Sequence, residues 1–331
     1  MDELLRNEKV NEVIRRILKN TNSELSIGII KDNKTKIFNY NQNNNSYYDI
    51  GSISKVFTSL IILKASYDGL VSLDDTLDKV LPLKKGHYLS ICELLSHKTG
   101  YFYTTPGIIT IPRLFKRYAK HNLYYHIGKE KIIKAIERIG YRNNKYGYSD
   151  FAYALLCLVI EDIYKKSYQD VLNDFLKCEF GLKDIRVISD EIKRKDSYLG
   201  KKKVTNWVWD QDNPYIGAGG LCATISDMTN FIFKLMAKED EYIKLCFALP
   251  EVEQKHNYAF FLSKNQHVYY HVGGVGTFRS SLAINKLRKI GIIILCNVKG
   301  RKRGNVSYLN KMIYNYIRRN KIIINFDEAK K

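Results

Sequence analysis

The sequence predicts an α/β (α+β) fold: one antiparallel sheet assembled from both ends of the chain, flanked by terminal helices, with a mainly helical domain inserted between. Three observations predict it. Strand-like runs cluster at residues 24–40 and again after about 256. Helical patterning fills most of the stretch from 50 to 245, and amphipathic segments occupy the two ends. With 331 residues and 45% hydrophobic content, the chain can bury one large core or two closely packed ones. The expected division is 1–50 plus 246–325 for the sheet domain and 51–245 for the helical domain. A functional site is expected at their interface, and residues 326–331 read as a tail.

Each element has its own signal. In residues 1–20, Leu4, Val10, Val13, Ile14, Ile17 and Leu18 recur at helical spacing. Glu24–Tyr40 reads as a hairpin, with Ile27, Ile29 and Ile30 before Asp32-Asn33-Lys34 and Ile37-Phe38-Asn39-Tyr40 after it. Ser90 and Glu93, just before Leu94-Leu95, form a capping box that opens a helix. Phe151–Tyr164 is a strongly apolar helix preceded by Ser149 and Asp150. Tyr258–Leu262, Val268–His271, Phe278–Ile284 and Ile290–Asn297 are β-rich runs, split by turns such as Lys286–Lys289. A helix at about Val306–Arg318 follows.

Bulk properties narrow the function classes. No apolar run reaches 18 residues, so no membrane span is expected. Met1-Asp-Glu-Leu-Leu-Arg6 is acidic and polar, unlike a signal peptide, which reads as cytoplasmic. The six cysteines are scattered through apolar segments with no CxxC pair, the pattern of buried reduced thiols. The net charge of +20 gathers at Lys193–Lys195, Lys201–Lys203 and Lys299–Arg303. Such clusters can hold phosphate, but no zinc finger or other reader module accompanies them, so they read as solvated surface and no specific nucleic-acid partner is expected. His267 and His271 would share one face of a regular strand, yet no third ligand follows in a recognisable pattern; neither a metal nor another cofactor is expected. Nothing in the sequence speaks to oligomeric state.

The chemistry concentrates at Ser52 and Lys55. They stand three residues apart where an extended segment turns into an apolar helix, so both lie on one helical face. A serine hydroxyl is a weak nucleophile until a neighbouring base takes its proton, and a lysine serves when burial or nearby charge lowers its pKa. In a lysine-rich chain such a pair is most often two surface residues, so the partners decide.

The partners bring a resemblance. Gly51–Lys55 resembles the first box of the serine β-lactamase and penicillin-binding-protein-like family, in its class C branch with related esterases and D-peptidases. Asp68–Asp75 with Leu81-Pro82 resembles the family's GxLxLDDPV…LP stretch, and Ile91–Gly100 its ITxxxLLTHTSG segment. Tyr148-Ser149-Asp150 with Tyr153 to Leu156 is similar to the second box, YSN…YxLL, and Gly219–Asp227 to GGLxSTxxD. His271-Val272-Gly273 resembles the third box, which is Lys-Thr-Gly in class C β-lactamases and His-x-Gly in many relatives. Lys98-Thr99-Gly100 spells that box too, but lies in the wrong segment.

The resemblance implies a β-lactamase/transpeptidase-like fold and a serine hydrolase working through an acyl-enzyme on a small-molecule or short-peptide substrate. Ser52 would be the nucleophile, with Lys55 and Tyr148 sharing the proton transfers. The N–H groups of Ser52 and Gly274 would form the oxyanion hole, and His271, Gly273 and Asp150 would line the substrate site. Asp150 departs from the family's usual asparagine: it either caps the helix from Phe151 or faces the site. In the site it would raise the pKa of Lys55 and favour a substrate ammonium over an acylamino carbonyl. Asp150 and the His-x-Gly box argue against a dedicated β-lactamase and favour an esterase or D-amino-acid peptidase/amidase, with β-lactamase or DD-carboxypeptidase activity as the alternative. The alternative of another class is a catalytically silent ligand-binding member.

Overall fold

The computed structural model describes residues 7–19, 23–41, 46–101, 122–143, 145–199, 202–248, 256–263, 267–299 and 305–319. Leu4, most of the loop at 101–146 up to Asn122, Lys201, the patch at 300–303 and the tail at 326–331 lie outside the described residues. The helices are α1 (Glu8–Ile17), α2 (Ser54–Tyr67), α3 (Leu77–Val80), α4 (Ile91–Leu95), α5 (Lys129–Ile139), α6 (Asp150–Tyr164), α7 (Tyr168–Phe175), α8 (Ile216–Gly219), α9 (Ile225–Ala237), α10 (Glu241–Cys246) and α11 (Asn305–Arg319).

The main sheet joins β1 (Leu25–Lys31) and β2 (Lys34–Tyr40) to β8 (Phe261–Ser263), β9 (Val268–Val275), β10 (Phe278–Asn285) and β11 (Ile290–Cys296). Its order is β2-β1-β11-β10-β9-β8, antiparallel throughout, with Ile27 opposite Ile294 and Leu282 opposite Ile293. Asp32 and Asn33 turn the first hairpin with φ of 49° and 62°, the left-handed pair that a two-residue connection between twisted strands requires. Tyr258–Phe260 stay outside the strand expected there; β8 starts only at Phe261, and the Asn257 side chain instead accepts the N–H groups of Ala259 and Phe260.

Strand alternation gives the sheet two apolar faces. Leu25, Ile27 and Ile29 with Ile292 and Ile294 meet α1 and α11 through Val13, Ile14, Leu309 and Ile313. The other face meets the helical region. There Gly28 lets α9 close down, since a Cβ at that position would sit 2.0 Å from Thr229 Oγ1. Within the helical region α2 and α6 are the central pair. Ser54–Leu63 and Asp150–Ile160 are buried around their whole circumference, as helices without a polar face must be. Two small sheets went unpredicted: β3 (Tyr48–Asp49), β7 (Leu221–Ala223) and β4 (Ile185–Val187) in one, β12 (Val298–Lys299), β5 (Ser197–Leu199) and β6 (Lys202–Val204) in the other. Strands of two or three residues are too short to leave a period in the sequence.

Candidate active site

The N-termini of α2 and α6 meet beside the part of β9 that runs on past its pairing with β8, and each delivers one group of residues. Ser52 sits in a 3₁₀ turn, Gly51–Ile53, that feeds α2. Gly51 adopts φ +56°, and a Cβ there would stand 2.5 Å from Gly274 N, so this turn requires glycine. Gly273 is equally constrained: an added Cβ would fall 2.0 Å from Ile50 O. Ser280 Oγ donates to the same carbonyl at 2.7 Å. The Gly51–Ile53 turn and the β9 backbone are thus locked in contact, which brings the Ser52 and Gly274 segments to one place.

Lys55 is fully buried. Its Nζ lies 2.6 Å from Asp150 Oδ1, 2.6 Å from the Ala218 carbonyl and 3.5 Å from Ser52 Oγ. An ammonium can donate to all three acceptors. A neutral amine can donate to the first two and turn its lone pair toward the Ser52 hydroxyl. Burial pulls the Lys55 pKa below its ordinary value; the Asp150 carboxylate pulls it upward, and burial wins. The rise expected from Asp150 is therefore present as the weaker of two opposed effects.

Asp150 faces the site. Ser149 is the helix cap, its Oγ accepting from Ala152 N, and Asp150 is the first helical residue. Its second oxygen takes a 2.5 Å hydrogen bond from Tyr124 OH. The Tyr124 ring stacks on Tyr215 at 4.1 Å, and its backbone is held by Asn122 and Asn213. Tyr148 lines the same cleft, with Lys55 Nζ 5.0 Å from its ring centroid. The cleft holds about 870 Å³ and is bordered by Ser52, Tyr148, Asp150, Gly273 and Gly274, with Trp207 and Trp209 as an aromatic wall. That size suits a small-molecule site. A larger hollow of about 1050 Å³ beside Lys177 and Lys193 contains none of the predicted residues.

Of the predicted set, six residues line or floor one cleft, and His271 does not. Its ring is fully buried beside His256, Phe261 and Tyr148, with Nδ1 3.1 Å from Val272 O. His267 falls in the exposed turn before β9, so the two histidines share no strand face. Among the described residues no group of three or more His, Cys, Asp or Glu side chains is placed to hold a metal ion. Sequence reasoning missed Tyr124, Trp207, Trp209 and Arg279, which also lines the cleft. Tyr124 is one of 25 tyrosines and lies in a loop with no motif, so no local signal marked it.

A family model described as Beta-lactamase matches residues 10–311. The chain is 24% identical over 302 residues to "Protein flp" of Staphylococcus aureus (strain MW2), covering 82% of this chain and 57% of that protein. It is 24% identical over 292 residues to "Teichoic acid D-alanine hydrolase" of Staphylococcus aureus, covering 82% of this chain and 66% of that one. The chain thus spans little more than half the length of the first of these curated relatives. The crystal structure of a β-lactamase/D-alanine carboxypeptidase from Yersinia pestis superposes with a TM-score of 0.75 at 18% identity, over 96% of this chain and 99% of that one. At that identity the likeness is one of fold.

Proposed function

Because this chain belongs to the beta-lactamase family, we propose that it is a serine hydrolase that cleaves a small ester or amide through a covalent acyl-enzyme, with an unblocked amino group on the acyl portion. The observation that supports this reading most is the Ser52–Lys55–Asp150 chain of contacts at the floor of the cleft. Ser52 Oγ attacks the substrate carbonyl while its proton passes to the Lys55–Tyr148 pair. The N–H groups of Ser52 and Gly274 hold the developing oxyanion. The pair then protonates the departing alcohol or amine, the carbonyl–heteroatom bond breaks, and the acyl group stays on Ser52. A water molecule attacks that ester, gives up a proton to the same pair, and releases the acid, with Ser52 protonated again.

Asp150 supports the substrate assignment. An ionised carboxylate has no N–H for an acylamino carbonyl, but it has lone pairs left beyond its bonds to Lys55 and Tyr124. Those lone pairs and the aromatic faces of Tyr124 and Trp209 suit an ammonium. A D-alanyl ester carries such a group, and one relative of the chain is named a teichoic acid D-alanine hydrolase.

The test is intact-mass spectrometry after a fluorophosphonate probe, followed by paired D-alanyl and N-acetyl-D-alanyl esters. Wild type is expected to gain one adduct that Ser52→Ala lacks, and to prefer the free-amine ester. Asp150→Asn is expected to narrow or reverse that preference by about tenfold or more, the scale of one charge-assisted hydrogen bond. No adduct on folded wild type would move the reading to a ligand-binding member.

A further inference from the structure

The proposed chemistry needs the Tyr148 phenol beside Lys55, and the loop after α4 supplies an unassigned device for holding it there. Resting on that reading, we propose that His97 is the positioning residue of Tyr148: it clamps the backbone on both sides of the tyrosine and backs its ring. The Gly147 N–H donates to the His97 carbonyl at 2.9 Å, and the Ser149 N–H donates to His97 Nδ1 at 3.1 Å. The His97 ring packs against the Tyr148 ring at 4.4 Å between centroids. Three contacts therefore converge on residues 147–149 from one fully buried side chain and its own backbone.

Three further features fit a clamp better than a filler. His97 adopts φ +57°, a left-handed conformation that costs a residue with a Cβ energy and persists only where the surroundings impose it. Gly147 runs so close to the loop that a Cβ would sit 2.8 Å from Tyr101 O, and Gly100 N–H donates to Lys145 O at 3.0 Å. The two segments are zipped together. The tautomer is also fixed. A backbone N–H can only donate, so Nδ1 must be bare and the one ring proton must be on Nε2. A charged imidazolium could not accept from Ser149, and burial beside His256, His271 and Lys55 keeps the ring neutral.

Loss of the clamp frees Tyr148 while leaving Ser52, which is locked independently against Gly273, and the tryptophan wall in place. The expected signature is therefore a fall in kcat with little change in KM. The experiment measures turnover of a chromogenic ester by His97→Gly, His97→Asn and Tyr148→Phe. Glycine accepts the left-handed backbone and removes only the ring. Asparagine tolerates it too, and its Oδ1 can receive the Ser149 N–H. His97→Gly is expected to lose about a hundredfold in kcat, the effect of a displacement near 1 Å. His97→Asn is expected to keep most of the rate, and added imidazole to return part of it to the glycine variant.

A folded His97→Gly with wild-type kcat, or equal losses in the glycine and asparagine variants, overturns the clamp. Wild-type kcat in Tyr148→Phe would instead overturn the reading of Tyr148 on which the clamp rests. Should His97→Gly not fold, ¹⁵N spectra of histidine-labelled wild type decide: a bare Nδ1 and protonated Nε2 at His97 are expected, and a protonated Nδ1 sinks the proposal.

Discussion

Lys55→Met is expected to destabilise the fold by about 3–5 kcal/mol and to slow acylation of Ser52 by about 10²–10⁴-fold. Both effects come from one contact. Lys55 and Asp150 form an ion pair at 2.6 Å with side-chain exposures of 0% and 12%, so removing the amine leaves a carboxylate nearly out of water with Tyr124 as its remaining side-chain donor among the described residues. The linear methionine fills a similar volume, which keeps the cavity contribution small. The double variant Lys55→Met/Asp150→Leu is expected to recover most of the stability and none of the activity, because an apolar pair needs no charge compensation. Urea denaturation and probe-labelling rates on the single and double variants separate the two effects. A Lys55→Met protein as stable as wild type at neutral pH would mean that the Lys55–Asp150 contact does not hold the fold.

Acid is expected to unfold this protein steeply, and three histidines are the reason. His97, His256 and His271 are fully buried, with ring centroids of His97 and His256 4.6 Å apart and of His256 and His271 6.1 Å apart. Burial first, and then the Lys55 charge, push all three below the ordinary histidine range, His256 to about 3; the nearby His256 lowers His97 and His271 further. Both ring nitrogens of His256 lack a hydrogen-bond partner among the described residues. In the folded state these rings stay neutral, whereas in the unfolded chain they protonate as pH falls through about 6.5. The unfolded state then binds more protons, so stability is full above pH 6.5 and is lost as pH falls toward the folded values.

Each histidine contributes about 1.4 kcal/mol per pH unit in that window. Asp49 works the other way. Burial against the Arg194 pair raises it to about 6, so below that pH it takes up a proton in the folded state first. Glu24, Glu161 and Asp227, whose carboxyls burial also raises, act in the same sense as Asp49. They are only partly buried, so the three fully buried histidines carry the larger shifts and set the net direction. His256→Phe isolates one contribution. Its stability is expected to match wild type near pH 7, since it removes two unsatisfied buried nitrogens, and to exceed wild type by about 2 kcal/mol at pH 5. Denaturant melts at the two pH values decide it; a variant that loses stability in parallel with wild type would show that His256 is protonated when folded.

The capping box at Ser90 and Glu93 formed as predicted, with both reciprocal hydrogen bonds, because a cap is made by four adjacent residues. The hairpin turn at Asp32-Asn33 and the helices at Phe151 and Val306 were legible for the same reason: each rests on local period or turn chemistry. Tyr258 to Phe260 were not, because the Asn257 side chain offers that backbone an alternative to the ladder that no strand propensity encodes.

The sequence by itself determined the spacing of Ser52 and Lys55 on one helical turn, the alternation that gives the sheet two apolar faces, and the order in which the boxes follow one another. Tertiary structure alone decided what surrounds them. Asp150 could have been a cap or a site residue until α6 packed against α2 and put its carboxylate on a lysine 95 positions away. Tyr124 reached the other carboxylate oxygen because Asn213 and Tyr215, about ninety residues further on, hold its loop. His271 stood in the third box by sequence, yet packing drew its ring away from the cleft and into a buried group with His97 and His256. Local rules act over three or four residues, through helical turns and strand alternation. The charge, tautomer and burial of each site residue depend on contacts between distant segments, and those exist only after the chain has closed its core.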